Sequence, residues 1–133
     1  MSLKLPEKIC KLIDDKNLAH FATLKKDGSP HVAPVWIDRD GDIILINTTS
    51  SRLKYKNVQN DKRVSLSITD YRDPYTWASI IGEVVELSDI DAEIHIDKMS
   101  QKYLGIPKFH GKNPIEPRKI IKIIRISIPR IKS

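Results

Sequence analysis

The sequence has a single cysteine, few aromatic residues and no long apolar run, and each shortage excludes a class of protein. With Cys10 alone, no disulfide can form within the chain and no cysteine-based zinc site can be built. No stretch approaches the ~20 apolar residues of a membrane-spanning helix. The N-terminus also lacks the apolar segment of a secretory signal. We therefore expect a cytoplasmic protein with no membrane partner.

Motifs for metal, nucleotide or hydrolytic chemistry are missing as well. Neither the glycine-rich P-loop nor the dinucleotide-binding fingerprint occurs. The four histidines, at positions 20, 31, 95 and 110, show no metal-ligand spacing, so we expect no metal site. A net charge of +6 permits an anionic partner. Aromatic residues make up only 6% of the chain, however, which is too few for a base-stacking surface, so we expect no nucleic-acid partner.

What the sequence does contain is a series of short extended runs. Its 133 residues suit one domain, 1–133, with one core. Asp27-Gly28 and Gly41 mark tight turns, which predict an antiparallel meander over the first three strands. Pro34 lies inside the second run, His31 to Asp38, and predicts an edge strand because proline has no N–H for a ladder. Six antiparallel strands with a few short helices indicate a mainly β (α+β) fold, a small barrel.

Residues 47–54, N-T-T-S-S-R-L-K, place hydroxyls and cations where a strand ends and a helix begins. Ser51 is the predicted N-cap. Cations at a helix N-terminus are unfavourable by about 0.3 to 1 kcal/mol each. Either Arg52 and Lys54 extend into water, or these cations, Thr48 and the free helix amides bind an anion such as phosphate. The residues themselves leave both readings open.

Aromatic residues give a second indication. Trp36 follows Pro34, and Tyr75 and Trp77 stand at the start of the fifth predicted strand. Such residues can form core or dimer interface, or they can contact a flat aromatic cofactor. A nearby phosphate site favours the cofactor.

Several motifs in a fixed order resemble a known family. They are F-A-T-L-K-K-D-G-S-P-H-V-A-P-V-W-I, then G-D-I-I-L-I-N-T-T-S-S-R-L-K-Y-K-N, then I-I-G-E-V-V-E-L. Together they resemble the flavin-binding split-barrel family related to pyridoxamine 5′-phosphate oxidase, and in particular its small stand-alone branch. The resemblance implies a six-stranded antiparallel split barrel that forms a homodimer, with the flavin FMN in the groove between subunits.

The resemblance also implies roles for individual residues. Arg52 and Lys54 would bind the phosphate, helped by Thr48 and Ser51, and Asn47 would lie near the ribityl chain. The remaining implied contacts are Ala33, Pro34, Val35 and Trp36 along the isoalloxazine ring, with Tyr75 and Trp77 closing the pocket from the partner subunit.

The implied activity is that of a flavin-dependent oxidoreductase acting on an unidentified small molecule. The cofactor does the chemistry in such enzymes, so no side chain is predicted to be catalytic. The alternatives are a reductase that uses the deazaflavin coenzyme F-420, or a non-catalytic flavin carrier.

Two departures from the family pattern matter. Thr49, Ser50 and Ser51 stand where many relatives have a small residue, an arginine and a glycine, so one family cation is absent. The chain also ends without the C-terminal extension that binds substrate in the full oxidase. We therefore do not expect it to oxidise vitamin B6.

Overall fold

The computed structural model describes residues 3–132, which form eight strands and three helices. The strands are β1 Ala19–Leu24, β2 Pro30–Val35, β3 Asp38–Asp40, β4 Ile43–Thr49, β5 Arg63–Asp70, β6 Asp73–Ser88, β7 Arg118–Arg125 and β8 Arg130–Lys132. The helices are α1 Glu7–Asp14, α2 Leu53–Asn60 and α3 Ala92–Leu104. The mainly β prediction is confirmed; the two strands beyond the predicted six, β3 and β8, have three residues each.

All strands belong to one antiparallel sheet with the order β2-β1-β5-β6-β7-β4-β3, and β8 is added on β6. The two edge strands, β2 and β3, are consecutive in sequence and joined only by Trp36 and Ile37. Three Cα–Cα steps span at most about 11 Å. The sheet must therefore curl until its edges nearly meet, although these two strands do not pair within residues 3–132. This is the expected split barrel.

The predicted three-strand meander is wrong at its second connection, after β2. Strand β2 ends at Val35, and Asp38 begins a strand on the opposite edge. The break has a physical cause at Ile37, whose side chain is fully buried. Its N–H leaves the strand ladder and donates instead to the Tyr103 hydroxyl at 3.0 Å. The prediction that Pro34 lies on an edge strand is confirmed.

The barrel core is aliphatic apart from Phe21 and Tyr55, and β-branched residues dominate it. Its fully buried side chains include Phe21, Ile44, Ile46, Ile68, Ile80, Ile121 and Ile123, and α1 adds Ile9 and Ile13. Gly82 is a point of close approach between β6 and β7, because a Cβ there would lie 2.6 Å from Ile123 Cγ2 and 3.0 Å from the Ile124 carbonyl oxygen. The register shift of β6 lies further along, between Val84 and Glu86.

The predicted N-cap of α2 is wrong. Helix α2 begins after Arg52, and neither Ser51 nor any other side chain caps it. Helix α3 begins after Asp91, which has φ +59, while Ser88 Oγ accepts from the Ile90 N–H rather than capping the helix. Gly105 ends α3 with φ +70, as its position predicts. No helix within residues 3–132 is long and apolar enough to cross a membrane.

Candidate functional site

A cavity of about 460 Å³ lies where β2, β4 and the start of α2 meet α3 and the segment before β7. Eight of the eleven predicted binding residues line it. These are Ala33, Pro34, Val35, Trp36, Asn47, Thr48, Arg52 and Lys54. Four residues that sequence reasoning missed complete the wall: Leu18, Ile96, Phe109 and Arg118. The fold therefore brings two separate sequence segments, 33–36 and 47–54, to one groove.

Three positive side chains converge on this groove, and we call Arg52, Lys54 and Arg118 the three-cation cluster. Burial and the charges of Arg52 and Arg118 lower the pKa of Lys54. Burial and Arg52 also lower the pKa of Arg118, against the opposing effect of Glu93. None of the three forms an ion pair within residues 3–132. An anion bound among like charges that have no counter-ions would reduce their mutual repulsion.

Two carboxylates lie near the cluster but bind other groups. Glu116 accepts from the Ser51 hydroxyl at 2.8 Å, and Glu93 accepts from the backbone N–H of Arg118 at 2.7 Å. Ser51 does not line the cavity. Thr48, which is buried at the end of β4, does line it.

One wall of the groove, next to the cluster, is aromatic. The Trp36 ring stacks on Tyr103, with centroids 5.2 Å apart, and meets Phe109 edge-on at 6.0 Å. The guanidinium of Arg118 lies over the Phe109 ring at 5.3 Å. Beside this wall runs β2, which among the described residues pairs on one side only, with β1. The groove thus offers a flat apolar surface, an open strand edge and a cationic end.

Behind the cluster lies a buried polar group that sequence analysis did not find. Asn47 contacts His95, and His95 contacts Asp38, with distances of 3.0 Å in both cases. Burial alone would raise the pKa of Asp38, but hydrogen bonds from His95, the Arg39 backbone and Lys98 lower it to about 2. Asp38 is therefore ionised at neutral pH.

Arg118 and His95 were missed because nothing in their local sequence marks them. Arg118 follows Pro117 at the start of a β-branched strand, and His95 is one of several polar residues in α3. Only the register of β4 with β7, in which Thr49 lies opposite Arg118, brings the arginine to the hydroxyl segment.

Tyr75 and Trp77 do not line the groove of their own chain. Tyr75 is 77% exposed, and Trp77 lies in β6 opposite Thr69 and Lys132. Their approach from a partner subunit stays a prediction.

A larger cavity, of about 600 Å³, lies between α1 and the start of β6. Its charges are of both signs and are paired: Arg72 contacts Asp15, and also Asp70 at 3.7 Å. We therefore favour the smaller groove as the functional site. No group of three metal-ligating side chains occurs in the part of the chain that the structure describes.

Fold and site together define a class, that of split-barrel proteins with a cationic groove. The family described as pyridoxamine 5′-phosphate oxidase matches residues 5–125, and the chain belongs to this family. The resemblance seen in the sequence is thereby confirmed.

Individual relatives are more distant. A Mycobacterium tuberculosis biliverdin reductase that depends on reduced F-420 is 29% identical over 89 residues, which make up 67% of this chain. The match spans 64% of the length of that relative.

Among solved structures, an F-420 reductase superimposes with a TM-score of 0.82 at 25% identity, covering 95% of this chain and 98% of the other. General stress protein 26 of Bacillus anthracis has a TM-score of 0.70 at 17% identity, covering 95% and 92% of the two chains, and supports the fold alone.

Proposed function

We propose that this protein is an oxidoreductase that binds a phosphate-bearing flavin or deazaflavin in the groove. The observation that carries the proposal is the three-cation cluster, which has no ion-pair partner within residues 3–132 and lies beside an aromatic wall and an open strand edge. The donor set fits the cofactor: guanidinium and ammonium groups and the Thr48 hydroxyl bind phosphate, and a flat ring packs against Trp36.

The identity of the cofactor is the finer part of the proposal. The sequence favoured FMN over the deazaflavin. The named relatives support F-420 instead, since both the curated reductase and the structural neighbour with a TM-score of 0.82 are named for it. We therefore propose F-420 as the first candidate and FMN as the second. Both have a phosphate that the cluster can bind.

The chain's own residues serve binding and orientation. A bound flavin or deazaflavin supplies hydride transfer, which the side chains of this groove cannot perform. Arg52 and Lys54 neutralise the phosphate, and residues 33–36 provide one face and the backbone groups beside the ring. The groove is open on one side, which leaves space for a small-molecule substrate. We propose that a second copy of the chain, through Tyr75 and Trp77, covers that side in a homodimer.

The test is an absorbance spectrum of the purified protein followed by titration with F-420 and with FMN. The same titrations are run on Arg52→Ala/Lys54→Ala. A matched control, Lys56→Ala/Arg63→Ala, removes two exposed cations that do not line the groove. We expect tight binding of one cofactor, a loss of about 100-fold or more in the first variant, and little change in the control.

A wild-type protein that binds neither cofactor would refute the proposal. Tight binding with no reduction or oxidation of the cofactor by any nicotinamide or dye partner would indicate a carrier instead of an enzyme.

A further inference from the structure

We propose that Arg118 is a third phosphate-binding residue and that Asn47, His95 and Asp38 are positioning residues that aim its guanidinium into the groove. This inference rests on the proposed function, because the anion is taken to be the phosphate of the cofactor. It adds to the site a strand residue that lies far from residues 47–54 in the sequence.

The guanidinium of Arg118 is fixed at one nitrogen and free at the others. Its Nε donates to Asn47 Oδ1 at 2.8 Å, and its plane lies over the Phe109 ring. The two terminal nitrogens have no hydrogen-bond partner within residues 3–132, and the residue lines the groove. A guanidinium held in this way presents two N–H donors side by side. This pair matches two phosphate oxygens better than the point charge of an ammonium group does.

The orientation of the Asn47 amide follows from its neighbours. Its Nδ2 lies 2.9 Å from the Ala92 carbonyl oxygen, which can only accept, so the amide nitrogen must face that side. The same nitrogen lies 3.0 Å from His95 Nδ1 and donates to it. The Asn47 oxygen is then the atom that faces Arg118, as its bond requires.

This arrangement also fixes the tautomer of His95. Because Nδ1 accepts from Asn47, the proton of the neutral ring lies on Nε2, which donates to Asp38 Oδ2 at 3.0 Å. Both residues are buried, with exposed fractions of 8% and 6%. Lys98 also donates to Asp38, at 3.1 Å. Every bond from Arg118 to Asp38 therefore points the same way and ends on a buried carboxylate.

The position of Arg118 complements the hydroxyl segment 48–51, which contains no cation. In the pairing of β4 with β7, Arg118 is the Cα partner of Thr49. The arginine thus places a positive charge beside this segment from the neighbouring strand. The register of the sheet and the hydrogen bonds behind Arg118 thus supply the cation that residues 48–51 lack.

The experiment measures binding of inorganic phosphate to the full chain by titration calorimetry. It also compares each phosphate-bearing cofactor with its phosphate-free form: FMN with riboflavin, and F-420 with the deazaflavin that carries the ribityl chain but no phosphate. We expect Arg118→Met to weaken the binding of inorganic phosphate about tenfold or more. The variant should also bind the phosphate-bearing cofactor more weakly, with its affinity for the phosphate-free form unchanged. The matched control is Lys119→Met, which removes the same charge from the next residue, whose side chain faces Asp89.

The positioning residues are tested by coupling. His95→Phe cannot bond Asn47 or Asp38 and should reproduce the Arg118→Met loss, whereas His95→Gln, with one acceptor and one donor, should restore much of it. If His95→Phe does not fold, Asn47→Ala replaces it, since Asn47 is only half-buried. Adding His95→Phe or Asn47→Ala to Arg118→Met should weaken phosphate binding no further than Arg118→Met alone does.

The outcomes separate this inference from the proposed function. Phosphate binding that depends on Arg118, without binding of any cofactor, would refute the function and keep the anion site. Cofactor binding unchanged by Arg118→Met would overturn the role of Arg118. Losses that add in the double variants would overturn the positioning role of His95 and Asn47.

Discussion

The indole of Trp36 and the phenol ring of Tyr103 lie nearly parallel, with 5° between their planes and 5.2 Å between their centroids. The Tyr103 hydroxyl accepts from the Ile37 N–H at 3.0 Å and donates to the Asn17 carbonyl at 2.7 Å. Helix α3 is thereby fastened to the two-residue connection between the sheet edges. The aromatic wall of the groove is consequently held by the fold before any ligand binds.

Replacing Tyr103 with phenylalanine should preserve the stack and remove every hydrogen bond of the hydroxyl, including a longer one of 3.3 Å to the Ile37 carbonyl. The Ile37 N–H would then lose its partner, which typically costs about 1 to 3 kcal/mol. We expect the free energy of unfolding, measured in urea, to fall by that amount. Tyr71→Phe is the control, because Tyr71 is 59% exposed. Equal stability of the two variants would contradict a structural role for the Tyr103 hydroxyl.

Gly82→Ala should destabilise the barrel, because the added methyl group would meet Ile123 and the Ile124 backbone at closer than van der Waals distance. Overpacking of this kind costs about 1 to 3 kcal/mol. Thermal unfolding monitored by circular dichroism measures the loss. Glu83→Ala, at the adjacent exposed position, should change the melting temperature little. A Gly82→Ala variant as stable as the wild type would show that β7 can move away freely.

Acid should unfold the protein partly through Asp38. Its pKa is lowered from 3.8 to about 2 in the folded state, so the folded protein binds the proton more weakly than the unfolded chain does. The resulting stabilisation is complete above about pH 4 and is lost as the pH falls towards 2, and it amounts to about 2 kcal/mol.

Asp38→Asn should therefore abolish that part of the acid dependence. Its unfolding free energy, compared with that of the wild type by urea titration between pH 5 and pH 2, should converge on the wild-type value at the acid end. Asp40→Asn, an exposed change on the same strand, is the control. A constant gap between Asp38→Asn and wild type across this range would rule out the titration of Asp38 as the cause.

The segment before β7 should depend on Asp97. This carboxylate accepts from the Phe109 N–H and from Lys112, both at 2.8 Å, and the Lys112 bond and the Phe109 N–H lower its pKa. We expect Asp97→Ala to increase amide hydrogen exchange across residues 106–116 and to weaken cofactor binding, because Phe109 forms part of the groove. Asp89→Ala, which removes an exposed partner of Lys119, should leave both unchanged.

Much of the fold could be predicted from the sequence because its patterns are local. The short extended runs and the turns at Gly28 and Gly41 identified the first strands, and Pro34 identified an edge strand. Segments 33–36 and 47–54 each had a distinctive composition, and the family resemblance indicated that they meet.

The remaining features depend on contacts distant in sequence. The change of sheet edge after Val35 is caused by the burial of Ile37 and its bond to Tyr103, 66 positions away. Arg118 reaches the groove only through the register of β7 on β4, and His95 matters only because α3 places it between Asn47 and Asp38. No window of neighbouring residues contains that information.

The connection made by Trp36 and Ile37 closes the seam between the sheet edges, and its Trp36 side also forms part of the groove wall. Opening the seam therefore destroys the groove, and a ligand that binds the groove must hold the seam shut. A ligand at 100 times its dissociation constant adds about 2.7 kcal/mol to the unfolding free energy of the state that it binds. If the proposed cofactor binds here, its supply sets how long the barrel survives heat or proteolysis.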